Sequence, residues 1–142
     1  MVSERPGEWR LMVDGASRGN PGQAGCGAVI YDENEALIEE LFCYLGSTTN
    51  NVAEYQGLLM GLKAAIKLGA RRLQVQSDSE LLVRQLNGVY RVRNEKLKSL
   101  HREAMELLGR FESYGITHVR REFNRVADRL ANRAIDEAPA QR

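Results

Sequence analysis

The sequence has little of what several chemistries require. Among 142 residues there are two cysteines, Cys26 and Cys43. They fit no metal-ligand spacing and make at most one bridge, so both are expected to be reduced, small and buried. No serine or cysteine pattern points to a covalent nucleophile. No apolar stretch approaches the roughly 20 residues of a membrane span. The stretch Met1-Val2-Ser3-Glu4-Arg5-Pro6 lacks the apolar core of a signal peptide. The expectation is therefore no membrane association and a cytoplasmic location. Excess charge is missing too: 20 Lys and Arg against 19 Asp and Glu leave a formal net charge of +1, so any surface for a polyanion has to be a local patch. There is no internal repeat and no low-complexity segment, and Trp9 is the sole tryptophan. What remains is an ordinary globular composition, 43% hydrophobic and 27% charged. The length suits a single domain over residues 1–142 with a core over about residues 8–137 and short disordered ends, Pro139-Ala140-Gln141-Arg142 among them.

One stretch organises the chain. Leu11-Met12-Val13 reads as the end of a strand over residues 8–14, closed by Asp14 and followed by a loop of glycines and turn formers, Gly15-Ala16-Ser17-Arg18-Gly19-Asn20-Pro21-Gly22. An acid beside such accessible backbone amides suits a metal ion or a phosphate. Residues 24–32 and 36–45 read as two more strands. Their short links favour antiparallel pairing, because a parallel return needs a crossover of roughly a dozen residues. Helical spacing then runs from Thr48 to Leu68, with Thr49 or Asn50 as N-cap and Gly69 closing the segment. Residues 73–77 form a strand ending at Asp78, and a helix follows through Glu80, Leu82, Val83 and Leu86 to Asn87-Gly88. A third helix runs from Leu97 to Phe111, a last strand from Ile116 to Arg121, and a closing helix from Val126 to Ile135. A strand–helix–strand unit within one sheet returns parallel and right-handed. That makes the strand before Asp78 a candidate parallel neighbour of the strand before Asp14, with both carboxylates at one sheet edge, where open α/β sheets keep their ligands.

Two further acids sit among core residues. Glu54 shares a helix face with Leu58, Gly61 and Ala65, and Asp128 lies between Ala127 and Leu130-Ala131. A buried carboxylate needs a cation or a shifted pKa, although each acid singly also fits a helix first turn, where the dipole favours negative charge. Together, Asp14, Glu54, Asp78 and Asp128 suggest a carboxylate cage for hard cations such as Mg²⁺ or Mn²⁺. Two such ions a few ångströms apart suit phosphodiester cleavage.

These residues fall into four blocks: Asp14-Gly15 with Gly19-Asn20-Pro21-Gly22, Thr48 to Tyr55, Ser77-Asp78-Ser79, and Asn124 to Ala131. In that order and spacing the chain resembles ribonuclease H type 1 from about residue 8 to residue 137. The resemblance implies a mixed five-stranded α/β fold, three antiparallel strands followed by two parallel additions, with helices on both faces. It implies that Asp14, Glu54, Asp78 and Asp128 are catalytic and bind two Mg²⁺ or Mn²⁺ ions, with no organic cofactor. The activity implied is endonucleolytic cleavage of the RNA strand of an RNA–DNA hybrid, leaving 3′-hydroxyl and 5′-phosphate ends. In this scheme Asp14 bridges both ions, Glu54 and Asp78 hold the ion at the leaving oxygen, and Asp128 holds the ion at the attacking water.

Selectivity for a hybrid needs groups that sense the 2′-hydroxyl. The backbone of Gly15, Ala16, Ser17, Arg18, Gly19 and Asn20, together with Glu54, Ser79 and Glu80 near the acids, are candidates. Asn50 and Asn51 match minor-groove contacts of the family, and Thr49 and Asn94 match its pocket for a phosphate of the DNA strand, while Asn50 and Asn94 are equally explained as helix-start residues. The family often carries glutamine at Glu80. A loop histidine found in many bacterial members is missing from Val119 to Asn124, where Arg121 or Glu122 takes its space, and His101 and His118 read as structural. The basic, tryptophan-rich protrusion of larger members is also missing. In its place Tyr90, Arg91, Arg93, Lys96 and Lys98 form a short basic segment, either a backbone contact or a solvated turn. The resemblance places this chain in a compact branch of the family and leads to a monomer as the default. Two other readings use the same residues: a hybrid- or duplex-RNA-binding module with weak catalysis, and another nuclease of the same fold.

Overall fold

The computed structural model describes residues 6–139, so nearly all of the tail expected at 139–142 lies outside the described residues. Five strands form one sheet in the order β3-β2-β1-β4-β5. They are β1 (Glu8–Gly19), β2 (Gly22–Tyr31), β3 (Leu37–Thr48), β4 (Arg72–Ser77) and β5 (Ser113–His118). The first three are antiparallel, while β4 pairs with β1, and β5 with β4, in parallel. Four α-helices complete the fold: α1 (Asn50–Lys67), α2 (Glu80–Leu86), α3 (Glu95–Leu108) and α4 (Arg125–Asp136). This is the expected mixed α/β architecture.

Alternation along the strands decides which helix covers which face. Leu11, Val13, Ala28, Ile30, Leu73 and Val75 point into one core, filled by Tyr55, Leu58 and Leu62 of α1 and by Ala104, Leu107 and Leu108 of α3. Met12 and Val29, register partners on the opposite face, pack with Leu130 of α4. That second layer is thin because α4 sits almost on the sheet: a Cβ on Gly27 would lie 2.5 Å from the Ala127 carbonyl oxygen. Thr49 caps α1 by accepting the Val52 amide at 3.3 Å, and Gly69, at φ +92°, turns the chain away after its last turn.

Three expectations need correction. Asp14 does not close its strand, and the segment after it is not a loop. β1 continues through Gly19, paired in register from Gly15 opposite Cys26 to Gly19 opposite Gly22, which leaves Asn20-Pro21, joined by a cis peptide bond, as the whole turn. Small residues here are strand residues that let neighbours approach, not turn formers. The last strand is Ser113–His118 instead of 116–121, because β4, its only strand partner among the described residues, ends at Ser77 opposite His118. Val119 donates to the Ser77 carbonyl at 2.9 Å, and the chain then winds into a 3-10 turn at Arg121–Phe123. Finally, both cysteines are free but only Cys26 is buried, since Cys43 lies on the edge strand β3 and is exposed.

Candidate active site

The parallel register of β1 and β4 is what gathers the acids. Its last matched pair is Val13 with Ser77, so Asp14 and Asp78 emerge side by side where β4 stops and β1 runs on. Glu54 arrives from the other direction. α1 begins at Asn50 and crosses β1 directly over Gly15, where a Cβ would lie only 2.3 Å from the Ala53 carbonyl carbon and 2.4 Å from the Glu54 nitrogen. Only a glycine at 15 permits that crossing. One carboxylate oxygen from each of Asp14, Glu54 and Asp78 lies within 4.8 Å of the others.

Their electrostatics follow from this crowding. Asp14 and Glu54 are buried, 4% and 8% exposed. Burial first, then the charges of Glu54 and Asp78, hold the Asp14 carboxyl far above the usual carboxylate range. Burial likewise raises Glu54, although the polar groups of Asp14 and the Gly15 backbone favour its ionised form and pull the other way; the Gly15 amide donates to Asp14 Oδ1 at 2.9 Å. Asp78 is raised mainly by burial, against hydrogen bonding from Asn124 and the nearby positive charge of Arg121. Glu54 Oε2 is buried and has no hydrogen-bond partner. An all-oxygen donor set with an orphaned carboxylate oxygen fits a hard divalent cation such as Mg²⁺ or Mn²⁺.

Asp128, in the first turn of α4, is half-buried and does not join that tight trio. It faces the same cleft of about 420 Å³, which is also lined by Gly15, Ala16, Ser17, Arg18, Asn50, Arg121 and Asn132. A larger groove of about 740 Å³ lies between residues 88–92 and α3, but its lining includes Arg91, Lys98 and Arg102 and no carboxylate. The chemistry belongs to the smaller cavity.

The remaining candidates lie outside the acidic cleft. Asn20 Oδ1 accepts the Asn50 amide at 3.1 Å and ties the hairpin tip to the start of α1, with Gly19 beside it as the last residue of β1. Thr49, Ser79 and Asn94 cap α1, α2 and α3 respectively. Asn51 is exposed in the first turn of α1, and Glu80 pairs with Arg84 at 3.3 Å. Of the basic segment, Lys98 pairs with Glu95, while Tyr90 lies under the Arg84 guanidinium.

Three residues around the acids were given no firm role by the sequence. Asn124, 1% exposed, donates from Nδ2 to the Val13 carbonyl at 2.9 Å and also favours the ionised form of Asp78, so it ties the start of α4 to the strand that carries Asp14. A lone asparagine ahead of a helix reads as a cap, yet its side chain makes no capping bond. Asn132 donates to the Asp128 carbonyl at 3.0 Å and to its Oδ1 at 3.4 Å, a contact legible as i, i+4 spacing on the polar side of α4. Arg121, in the segment that lacks the loop histidine, lies 3.9 Å from Asp128, whereas Glu122 turns to Arg120. His101 is structural, against the Gln85 carbonyl and the edge of Tyr55. His118 instead ends β5 in the open and adds positive charge near Asp78.

Comparison with known proteins places this arrangement. Residues 12–134 match a family profile described as reverse transcriptase-like. A bifunctional protein of Mycobacterium tuberculosis is 44% identical over 129 residues, 90% of this chain but 35% of the relative, so the chain spans about a third of that protein's length. The ribonuclease HI of Halobacterium salinarum is 39% identical over 135 residues, 95% of this chain and 68% of the relative. The crystal structure of RNase H1 from that archaeon superposes with a TM-score of 0.90, covering 93% of this chain and 100% of that one. LC11-RNase H1, crystallised in complex with an RNA/DNA hybrid, is 40% identical with a TM-score of 0.86 over 91% of this chain and 97% of that one. With the sheet order, the clustered acids and these relatives in agreement, the chain belongs to the ribonuclease H type 1 family.

Proposed function

We propose that this chain is a metal-dependent endonuclease that hydrolyses the RNA strand of RNA–DNA hybrids and leaves 3′-hydroxyl and 5′-phosphate ends, acting as a monomeric single domain. The observation that carries the reading is the trio of carboxylates within 4.8 Å, two of them buried and one with an orphaned oxygen. Such a trio is unfavourable in a protein that only binds a polyanion, and it is suited to holding cations against one. A relative 40% identical to this chain binds an RNA/DNA hybrid.

Asp14, Glu54, Asp78 and Asp128 hold the ions, Mg²⁺ or Mn²⁺. Two ions bound there supply activation of a water and stabilisation of the leaving 3′ oxygen. The chain's own residues set the stage. Asn124 and the β1–β4 register fix Asp78 beside Asp14, and Gly15 lets α1 deliver Glu54. The backbone of residues 15–20 lies against the RNA strand and reads its 2′-hydroxyls with Glu54, Ser79 and Glu80. Asn50 and Asn51 reach the minor groove, and Thr49 and Asn94 receive a phosphate of the DNA strand.

The test is an end-labelled hybrid incubated beside single-stranded RNA, duplex DNA and duplex RNA, with Mg²⁺, Mn²⁺ or EDTA. Internal cuts are expected in the RNA strand of the hybrid, with none in EDTA. Asp78→Asn should slow them by about 10³-fold, the factor that several kcal/mol of charge stabilisation represents. Binding without cleavage in either metal, or stepwise trimming from one end, would overturn the proposal.

A further inference from the structure

Arg18 is the cation on β1 that lines the acidic cleft, and α4 holds it there. Strand alternation puts Asp14, Ala16 and Arg18 on the same side of β1, the side that α4 covers. The Arg18 guanidinium pairs with Asp136 at 2.7 Å near the C-terminus of α4. It also reaches the Asn132 carbonyl at 3.5 Å and Oδ1 at 3.4 Å. Asn132 in turn bonds Asp128. A continuous polar chain therefore runs from the hairpin through α4 to the fourth acid of the cleft.

We propose that Arg18 is a phosphate ligand for the RNA strand, pre-positioned by Asp136 and Asn132 in the free protein and released to the substrate on binding. This rests on the hybrid-cleaving function proposed above. Three observations favour it over a purely structural strut. The ion pair is open to water, with Arg18 48% and Asp136 62% exposed, and exposed pairs contribute little to stability. The Asn132 contacts are long for hydrogen bonds and easily exchanged. A phosphate offers the guanidinium a bidentate, charge-assisted partner in place of a single carboxylate contact. Four strand residues at about 3.4 Å each set Arg18 roughly 14 Å along β1 from Asp14, so its partner is a phosphate flanking the one at the acids. Asp136 and Asn132 are positioning residues in this scheme: they keep a flexible side chain at the cleft mouth, where it would otherwise sample many rotamers.

The experiment is a fluorescence-anisotropy titration of a labelled RNA–DNA hybrid in Mg²⁺, with every variant built on Asp78→Asn to suppress cleavage, repeated over a salt series, with melting temperatures measured in parallel. Arg18→Ala is expected to weaken binding roughly tenfold and to make the slope of log affinity against log salt shallower by about one, with a melting temperature close to the parent's. Arg18→Lys should recover part of the affinity and the whole of the slope. Asp136→Asn removes the positioning contact but keeps the guanidinium, and should bind less tightly than the parent yet more tightly than Arg18→Ala, with the salt slope and the melting temperature unchanged. If Arg18→Ala and Asp136→Asn lose affinity and melting temperature together, Arg18 is a strut and the proposal is wrong. It is equally wrong if Arg18→Ala binds like the parent with an unchanged slope. A parent that does not bind the hybrid removes the function on which the proposal rests, a result distinct from either of these.

Discussion

Asp14 and Glu54 are at odds with their surroundings until a cation arrives. Buried against each other and against Asp78, both carboxyls are raised above their ordinary values, so the folded protein holds protons that the unfolded chain releases. A raised acid contributes full stability below its unfolded pKa, near 4, and loses it as pH climbs toward the folded value. The metal-free protein is therefore expected to melt at lower temperature at pH 8 than at pH 5. Mg²⁺ or Mn²⁺, bound by the folded state alone, should raise the melting temperature more at pH 8 than at pH 5. Calorimetry at the two pH values, with EDTA or with metal, checks both statements, and a metal effect independent of pH would contradict them. Asp14→Asn removes one of the crowded charges. It should leave metal-free stability equal or higher, flatten its pH dependence, and abolish cleavage. A large loss of metal-free stability would make Asp14 a structural residue instead.

At the scale of elements, the site depends on places where backbone meets backbone. Gly15 is the sharpest case, because a methyl group there would collide with the main chain of α1 at Ala53 and Glu54, which has no rotamer with which to give way. Gly15→Ala is expected to cost at least about 1–3 kcal/mol, the range for overpacking, read as a lowered denaturant midpoint at unchanged m. It should also displace Glu54 and suppress metal-induced stabilisation. Retained metal stabilisation would show that α1 can shift without moving its acid. The same crossing explains what was legible in the sequence. Helix periods and the order of elements along the chain were readable because apolar spacing records them directly, the parallel return to β4 was a candidate from the strand–helix–strand rule, and the five-stranded sheet as a whole was implied by the resemblance. The extension of β1 to Gly19 was not, since Gly15, Ala16 and Ser17 carry no β signal of their own and are held in the sheet by partners in β2 and by α1. Likewise all four acids stand out in sequence, but that Asp14, Glu54 and Asp78 form a tight trio while Asp128 meets it at Asp14 is set by how α4 lies on the sheet. Asn124 and Asn132 were given no role of their own because an asparagine ahead of a helix reads as a cap and one on the polar side of a helix reads as a solvated residue.

For the molecule as a whole, charge bounds how strongly it can hold a nucleic acid. With a net charge of +1 there is no diffuse attraction to a polyanion, and each carboxylate in the cleft repels one until metal binds. Attraction has to come from particular cations: Arg18 and Arg121 in the cleft, and Arg91, Lys98 and Arg102 along the groove beside α3. Several of these already have acidic neighbours, Asp136 for Arg18 and Glu95 for Lys98. The segment between α2 and α3 adds no tryptophan, since Trp9 of β1 is the sole one in the chain. With these five cations engaged, the slope of log affinity against log salt should be near −4.5, so a fourfold rise in salt weakens binding by roughly 500-fold. Hybrid binding measured from low to physiological salt should therefore be modest and fall gently compared with a relative that carries a basic protrusion. A slope near −9 would require about ten phosphate contacts, more than these five cations supply, and would mean that a further basic surface closes over the hybrid on binding.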